Sequence, residues 1–225
     1  MAKTLLAWSS GKDSAWTLHV LNRCAHVEMA GLFTTINETA DRVAMHAVRR
    51  ELVELQAEAA RLPVDFIPLP SPCSNEQYES AMAAYFAEAK RRGVSQAAFG
   101  DLFLEDVKQY RVDTMRSTGI TPVFPLFGSD TRDLAQSMVN AGLRARITCV
   151  DPKQLPGEFA GRRFDDDLLG DLPAHIDPCG ENGEFHTFVT EGPMFRHEVP
   201  VTVGETIERD GFVFTDLRPG GGGSA

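Results

Sequence analysis

The segment Ser9–Ser14, with the sequence SSGKDS, constrains the fold more than any other stretch of the chain. It follows the apolar run KTLLAW at residues 3–8, which is typical of a short buried strand, and it precedes a helical pattern over residues 13–22. A glycine- and serine-rich turn between a strand and a helix presents unpaired backbone N–H groups at the positive end of the helix dipole. The lysine adds a full positive charge, and the serines add hydroxyl donors. The segment is therefore predicted to bind an anion, and its aspartate suits a Mg²⁺ ion that accompanies phosphate groups.

Strand-like and helix-like segments alternate through residues 1–150, which we assign to one domain. The predicted strands cover residues 3–8, 28–36, 64–69, 96–99, 121–124 and 144–150. The predicted helices are residues 13–22, 105–118 and 131–141, a segment with the apolar stripe Met45, Val48, Leu52, Leu55, Ala59 and Leu62, and a segment lined by Tyr78, Met82, Tyr85 and Ala89. This alternation predicts βαβ units, right-handed crossovers and an α/β fold with a doubly wound, mainly parallel sheet.

The pattern changes after Asp151. Residues 151–175 are rich in proline, glycine and acidic side chains, and strand-like pieces follow at residues 184–190, 199–207 and 211–217. Residues 151–218 are therefore predicted to form a smaller α+β appendage, with an antiparallel piece packed beside the main sheet. The glycine-rich tail at residues 219–225 is predicted to be disordered.

Composition narrows the class of protein. The formal net charge is −10, from 22 basic and 32 acidic side chains, which disfavours broad binding to nucleic acid. No apolar run approaches the roughly 20 residues that span a bilayer, and the first residues lack a secretory pattern. The four cysteines, at positions 24, 73, 149 and 179, form no CxxC pair and no disulfide framework. We expect a soluble cytoplasmic protein without a membrane partner, and a homodimer is compatible with the sequence.

A second polar cluster lies in FGDLFLEDVKQYR, residues 99–111. Gly100 and Asp101 follow a predicted strand, at the same sheet edge as the SSGKDS loop, where doubly wound sheets bind their ligands. Glu105, Tyr110 and Arg111 follow on a helix. The alternative interpretation is a capping aspartate and a solvated helix face.

A third cluster lies in DPCGENGEFHTFVTEGPMF, residues 177–195. Turn chemistry explains its glycines and asparagine, but it does not explain the close spacing of Glu181, Glu184, His186 and Thr187. An acidic hairpin is one alternative. Others are a zinc site from His175, Cys179 and His186, whose spacing fits no common pattern, and a nucleophilic Cys179, for which no activating partner is evident.

The order S-x-G-K-D-S resembles the PP-loop of the adenine nucleotide alpha hydrolase superfamily and differs from a Walker A loop, which needs GxxxxGK[ST]. Together with HAVRRELVELQAEA and GENGEFHT, it resembles the diphthine–ammonia ligase family, also called the diphthamide synthase ATP-binding domain, over nearly the whole chain. Ser10 stands where glycine is usual, a departure that is tolerated if its φ is not positive.

The resemblance implies a HUP-type fold and ATP-dependent amidation. A carboxylate is adenylated, pyrophosphate leaves, and ammonia displaces AMP. The implied ATP- and Mg²⁺-binding positions are Ser9, Ser10, Gly11, Lys12, Asp13 (the Mg²⁺ ligand) and Ser14, with Phe33, Thr34, Thr35, Gly100 and Asp101 on the nucleotide side. The implied substrate positions are Glu105, Tyr110, Arg111, Glu181, Asn182, Gly183, Glu184, His186 and Thr187.

The chemistry of such a reaction assigns roles to four of these side chains. Lys12 and Asp13, with Mg²⁺, suit the charge that builds on departing pyrophosphate. Glu184 suits ammonium binding, and His186 suits acceptance of its proton near neutral pH. The expected partners are therefore ammonia and a carboxylate on a protein side chain or a small molecule.

Two other functions are compatible with such a loop. A tRNA-thiolating enzyme commonly needs a CxxC pair or a persulfide cysteine and a basic surface, and this acidic chain has no CxxC pair. A non-catalytic nucleotide-binding module needs no second polar site, so the polar cluster ENGEFH at residues 181–186 argues against it.

Overall fold

The structure, a computed structural model, describes residues 1–39, 41–43 and 48–221. Its strands are β1 (Ala2–Ala7), β2 (Val27–Asn37), β3 (Arg42–Val43), β4 (Val64–Leu69), β5 (Gln96–Ala98), β6 (Thr121–Val123), β7 (Arg144–Val150), β8 (Arg163–Phe164), β9 (Phe185–Glu191), β10 (Val201–Arg209) and β11 (Phe212–Pro219). Its α-helices are α1 (Lys12–Leu21), α2 (Arg50–Ala60), α3 (Asn75–Arg91), α4 (Glu105–Met115), α5 (Thr131–Asn140) and α6 (Asp166–Asp171).

The first sheet confirms the predicted α/β class. Its parallel strands pair β4 with β2, β2 with β1, β1 with β5, and β5 with β6. The chain builds outward from β1 to β2 and β4, then crosses to the other side of β1 to form β5 and β6. The loop after β1 therefore lies at the switch point, the crevice where doubly wound sheets bind ligands. Short β3 adds an antiparallel pairing at the end of β2.

The second sheet is antiparallel, with the order β10-β11-β7-β8 and β9 also paired with β7. The prediction that residues 144–150 close the parallel series is wrong. The strand has the predicted bounds, but its partners are β8, β9 and β11, all antiparallel. Most of β7 is buried, and a strand buried on both faces gives the continuous apolar run of a parallel-sheet strand. The change of sheet falls between β6 and β7, ahead of the predicted boundary at residue 150.

Helix boundaries follow local chemistry. Helix α2 begins at Arg50, so Val48 of the predicted stripe precedes it, and Met45 lies outside the described residues. Helix α3 begins with a capping box in which the Ser74 hydroxyl accepts from the Gln77 N–H, and the Gln77 side chain accepts from the Ser74 N–H. Helix α6 was not predicted. It forms because the Asp165 carboxylate accepts from the N–H of Leu168.

Part of the tail that was predicted to be disordered is folded. Pro219 ends β11 and the Gly220 N–H donates to the carbonyl of Pro200, so disorder was the wrong prediction for these two residues. Residues 222–225 lie outside the described residues. Within the described ranges, no helix combines the length and the apolar character that a membrane crossing needs.

Aromatic packing fixes one flank of the first sheet. The Phe33 ring of β2 lies 5.3 Å from the ring of Tyr85, 5.5 Å from that of Phe86 and 6.1 Å from that of Phe99. Tyr85 and Phe86 belong to α3, and Phe99 directly follows β5. These contacts hold the carboxyl ends of β2 and β5 against α3, because aromatic pairs add specific geometry to the area they bury.

The other flank is joined to the second sheet by Gln56 of α2, whose side chain is 0% exposed. Its amide oxygen accepts from the Trp8 indole N–H at 2.8 Å. Its amide nitrogen donates to the carbonyls of Ser10 at 3.0 Å and of Val189 in β9 at 2.7 Å. The Val189 N–H also donates to the Ser10 carbonyl at 3.0 Å. The end of β1, the loop after it and β9 are thus tied to one buried amide.

Serine at position 10, where glycine is usual, was expected to be tolerated only without a positive φ. Ser10 adopts a φ of +69°, so that expectation is not met. The left-handed region costs a residue with a Cβ roughly 1–2 kcal/mol. The conformation persists because the Ser10 carbonyl is held by two donors and its hydroxyl donates to the carbonyl of Ser9. The loop therefore carries backbone strain that the packing around it maintains.

Ser10→Gly should raise the free energy of unfolding by up to about 1 kcal/mol, because glycine relieves the positive φ at a smaller cost in unfolded-state entropy. Ser137→Gly is the matched control. Ser137 lies on the exposed face of α5, where glycine should lower stability by about 0.5–1 kcal/mol. Urea denaturation of both variants measures the difference. Equal destabilisation by the two substitutions would show that Ser10 is not strained.

Gln56→Leu should lower the free energy of unfolding by about 2–4 kcal/mol, because it leaves the buried Trp8 N–H without its acceptor and removes a donor from two carbonyls. Gln109→Leu, on the exposed side of α4, should change stability by less than about 0.5 kcal/mol. Urea denaturation followed by tryptophan fluorescence tests both variants. A Gln56→Leu protein as stable as the Gln109→Leu protein would show that Gln56 does not hold these segments together.

Candidate active site

A cleft of about 490 Å³ opens at the carboxyl edge of the first sheet, where the SSGKDS loop meets the residues before and within β9. Its walls come from four parts of the chain that are distant in sequence. They are Ala7, Trp8, Ser9, Gly11, Lys12, Asp13 and Ser14; Phe33, Thr34, Thr35 and Val43; Tyr78, Met82, Phe99, Gly100, Asp101 and Arg111; and Cys179, Gly180, Glu181, Gly183, Phe185, His186 and Thr187. The structure thus brings the three predicted polar clusters together in one cavity.

The loop presents its donors to this cleft. The Ser10 carbonyl is turned toward Gln56 and β9. In a trans peptide the carbonyl of one residue and the N–H of the next point in opposite directions. The Gly11 N–H therefore faces away from Gln56 and lies 3.4 Å from the Ser9 hydroxyl. The Ser9 and Ser14 hydroxyls lie 3.1 Å apart. Helix α1 begins at Lys12, so the positive end of its dipole meets these groups.

Lys12 is the central cation and is only 2% exposed. Its ammonium donates to the Asp13 carboxylate at 2.9 Å and to the carbonyl of Cys179, and it lies 5.5 Å from the centre of the Phe185 ring. Burial opposes the charge, but the negative groups nearby, Asp13 above all, raise the pKa of Lys12. The side chain therefore stays protonated inside the protein.

Asp13 supplies a carboxylate that its surroundings do not fully satisfy. One oxygen, Oδ2, accepts from Lys12, while Oδ1 is buried and accepts no hydrogen bond from any residue the structure describes. A magnesium site commonly uses one or two carboxylates and completes its shell with water and phosphate oxygens. The unpaired oxygen at the wall of the cleft fits such an ion when phosphate groups are present.

Two glycines keep the cleft open by close backbone contact. A Cβ at Gly100 would lie 3.0 Å from the carbonyl carbon of Asp13, and a Cβ at Gly11 would lie 3.2 Å from the carbonyl oxygen of Thr187. The first turn of α1 is therefore clamped between the end of β5 and β9. A larger residue at either position would displace the loop.

The far half of the cleft is largely apolar. Phe33, Tyr78, Met82 and Phe99 line it, and the Arg111 guanidinium lies 4.5 Å from the centre of the Phe99 ring. Arg111 also donates to both oxygens of Asp101, at 2.6 and 3.1 Å. A flat aromatic ligand group suits a wall of this composition.

Glu181 is the carboxylate of the third cluster that reaches the cleft. It accepts from the Leu102 N–H at 2.7 Å, so it also links this segment to the loop after β5. Burial raises the pKa of Glu181 to about 7; the Leu102 N–H and Lys12 oppose the shift, and the carboxylates of Asp13 and Asp101 add to it. A carboxyl group with this pKa exchanges protons near neutral pH.

His186 and Thr187 also line the cleft, as predicted. The Thr187 hydroxyl accepts from the Lys12 N–H at 3.1 Å, which joins β9 directly to the first turn of α1. Burial, together with the nearby Lys12 charge, lowers the pKa of His186 to about 4 although Glu184 opposes the shift. The imidazole is therefore neutral at pH 7.

Five predicted positions do not line the cleft. Ser10 is buried behind the loop, Glu105 and Tyr110 are exposed on α4, and Asn182 is exposed in the turn before β9. Glu184 is 2% exposed; one of its oxygens accepts from the Asp177 N–H and the Asn182 amide, while the other, also buried, accepts from no described residue. In a tight turn, adjacent polar residues face different ways, and the spacing alone did not show which glutamate faces the cavity.

Cys179 lines the cleft but is poorly suited to chemistry. The thiol is 1% exposed, lies 3.4 Å from the carbonyl of Thr131, and has a pKa that burial raises well above its usual range. A persulfide or nucleophilic role needs an accessible thiolate. No three His, Cys, Asp or Glu side chains within the described ranges lie close enough together to hold a metal ion, so the zinc alternative gains no support.

Sequence reasoning missed several cleft residues, notably Trp8, Val43 and Phe185, and Gln56 behind the loop. Tyr78 and Met82 were recognised as one face of a helix, but nothing in that pattern distinguishes a cavity wall from core. Gln56 gave no signal because a glutamine within an amphipathic helix usually faces solvent.

Comparison with known proteins agrees with this geometry. The model of the diphthamide synthase N-terminal domain matches residues 2–122, and that of the diphthamide synthase C-terminal domain matches residues 130–216. The first match contains the loop and the apolar half of the cleft, and the second contains Glu181, His186 and Thr187.

Curated relatives match over most of their length. A bovine (Bos taurus) protein named diphthine--ammonia ligase is 24% identical over 233 residues, which is 93% of this chain and 86% of the relative. A human protein of the same name is 23% identical over 223 residues, or 88% of this chain and 82% of the relative. The resemblance inferred from the motifs is confirmed, and the chain belongs to the diphthamide synthase family.

Proposed function

We propose that this protein is an ATP-dependent ligase that adenylates a carboxylate and amidates it with ammonia, releasing AMP and pyrophosphate, as in a diphthine–ammonia ligase. The observation that carries the proposal is the junction of the SSGKDS loop with β9. The Thr187 hydroxyl accepts from the Lys12 N–H, so the loop and the titratable side chains of Glu181 and His186 line one cleft. The names of the relatives support the ligase class.

On the ATP side, the triphosphate would lie against Ser9, Gly11, Lys12 and Ser14. The backbone donors and the Lys12 ammonium would stabilise the charge that develops as pyrophosphate leaves. Asp13 would hold Mg²⁺ through its unpaired oxygen, and the ion would neutralise part of the phosphate charge. Adenine would occupy the apolar half between Phe33, Phe99 and Met82.

In the first step, an oxygen of the acceptor carboxylate attacks the α-phosphorus, and the bond to pyrophosphate breaks. In the second step, the nitrogen of ammonia attacks the acyl carbon, the bond to AMP breaks, and the nitrogen loses a proton. Holding both reactants in one cavity lowers the entropic part of each barrier.

We assign to Glu181 the role of accepting the proton that ammonia loses. Its pKa of about 7 matches the task, and it lies on the wall of the cleft. His186, with a pKa of about 4, is too weak a base to retain a proton and suits a hydrogen-bonding role toward the substrate. Glu184, held by the turn, would shape the segment instead of binding ammonium. The acceptor is a carboxylate on a protein or a small molecule.

Lys12→Ala should abolish or weaken binding of a non-hydrolysable ATP analogue by at least about tenfold, because a charge-assisted contact is worth roughly 1.5–3 kcal/mol. Lys153→Ala removes an exposed lysine that is not part of the cleft lining and should bind like wild type. Isothermal titration calorimetry with Mg²⁺ present measures both. Unchanged affinity in Lys12→Ala would remove the loop from the ATP site.

Turnover with ATP, ammonium and a panel of carboxylates should yield AMP and pyrophosphate, and its rate should fall as pH drops below about 7 at constant free ammonia. The sign follows from Glu181, whose carboxylate accepts the proton and whose raised pKa leaves it protonated at lower pH. Glu181→Gln should keep ATP binding, lose amide formation and lose this pH dependence. Chromatography of nucleotides and a pH–rate profile provide the measurements.

Glu105→Gln is the control for this test, because Glu105 is exposed on α4 and outside the cleft lining. It should retain both turnover and the pH profile. ADP and phosphate as primary products would rule out the adenylating ligase. A Glu181→Gln enzyme with the wild-type profile would assign the proton to another group.

A further inference from the structure

A second cavity, of about 170 Å³, lies on the second sheet beside the β2–β3 hairpin. We call it the arginine cavity. It is lined by Arg42, Val48, Thr148, Glu205, Ile207, Arg209, Phe214, Thr215, Asp216, Leu217 and Arg218. Nothing in the proposed ligase reaction uses these residues.

Three guanidinium groups converge on the single carboxylate of Asp216. Arg42 donates to its Oδ1 through both terminal nitrogens at 3.2 Å, Arg49 donates to its Oδ2 at 2.7 Å, and Arg218 donates to its Oδ2 at 3.2 Å. One carboxylate balances one positive charge. The cluster around Asp216 is therefore cationic.

Further charged side chains surround this cluster. Arg209 adds a fourth guanidinium, which lies 5.0 Å from the centre of the Phe214 ring and 3.6 Å from the Asp210 carboxylate. Glu205 is the remaining carboxylate of the lining. Glu51 also acts on the charge of Arg49, so among the described residues these four arginines have four carboxylates near them. Within the lining of the cavity itself, three arginines face two carboxylates. In addition, Nε of Arg49 is buried and reaches no acceptor within the part of the chain that the structure describes. The lining thus holds one more arginine than carboxylates, in a chain whose net charge is −10.

The cavity has access to solvent and a wall in common with the cleft. The side chains of Arg209 and Arg218 are 54% and 61% exposed, so a small ligand can reach them. Arg42 lines the arginine cavity and its neighbour Val43 lines the cleft. On the other side, the Thr148 hydroxyl of the arginine cavity lies 3.4 Å from the carbonyl of His186, a cleft residue.

We propose that the arginine cavity binds an oxyanion, a phosphate or carboxylate group, between Arg209 and Arg218. Planar guanidinium groups match two oxygens of such an anion at once. The ring of Phe214 holds the Arg209 guanidinium in place. The volume of the cavity admits a small anion or the acidic end of a larger molecule. The Asp216 carboxylate already accepts a hydrogen bond from Arg218, so it competes with the anion for the donors of this guanidinium. This site does not depend on the ATP chemistry of the cleft.

The test is anion binding to the full chain at constant chloride concentration, with inorganic phosphate and acetate as separate probes. Saturable binding of either anion is expected by calorimetry, and the tighter of the two identifies the preferred group. Arg209→Gln and Arg218→Gln should each weaken the apparent affinity by about tenfold or more, because each removes a charge-assisted contact. Both side chains are more than half exposed, so neither substitution leaves a buried charge unpaired.

Asp216→Asn should act in the opposite direction. It removes the competing carboxylate, so anion affinity should rise, and the melting temperature should fall without phosphate and recover as phosphate is added. If the cluster were only a structural set of ion pairs, the melting temperature of Asp216→Asn would fall and phosphate would not restore it. If the variant does not fold, the two arginine variants decide the question.

Two controls separate this site from the rest of the surface. Arg116→Gln removes an arginine that is 75% exposed and pairs with Asp113, away from both cavities, and should bind phosphate like wild type. Lys12→Ala disables the cleft and should also retain the phosphate affinity of the arginine cavity. No saturable binding of either probe, equal effects of Arg116→Gln and Arg218→Gln, or loss of binding in Lys12→Ala alone would each overturn the proposal.

Discussion

The side-chain amide of Gln56 is the contact on which the arrangement of the cleft depends. It is fully buried, and it holds the end of β1 through Trp8, the strained loop through Ser10 and the second sheet through Val189. A buried amide that satisfies three separate segments makes their positions interdependent, because any one that moves leaves an unpaired polar group. The orientation of the Gly11 N–H follows from this arrangement, as does the approach of β9 to Lys12.

Residues of both sheets therefore form the cleft. The first sheet supplies the loop, the aromatic wall and Gly100, while the segment leading into β9 supplies Glu181, His186 and Thr187. Lys12 is buried between them, with an anionic partner, a carbonyl and two aromatic rings around its ammonium group. Burial of a charge is costly unless partners of this kind are present. The second sheet is therefore part of the environment that keeps the lysine charged.

Local patterns were enough to predict the first sheet and the loop, because strand, turn and helix signals there act over a few residues. They failed for β7, since burial on both faces looks the same in a parallel and an antiparallel sheet. They also failed within the turn before β9, where Glu181 faces the cleft and Glu184 faces inward, although the two are only three residues apart. Such directions depend on tertiary contacts, such as the Leu102 N–H that holds Glu181, which no short pattern encodes.

The ion pair between Lys12 and Asp13 has a consequence for ligand choice. An anion that reaches the ammonium must replace an internal counter-ion at 2.9 Å and a carbonyl acceptor that are already in place. A singly charged group gains little from this exchange, whereas a chain of phosphates offers several charges and can bring its own metal ion to occupy the displaced carboxylate. In the ligase that we propose, this built-in pair would favour polyanions over the monovalent anions of the surrounding solution.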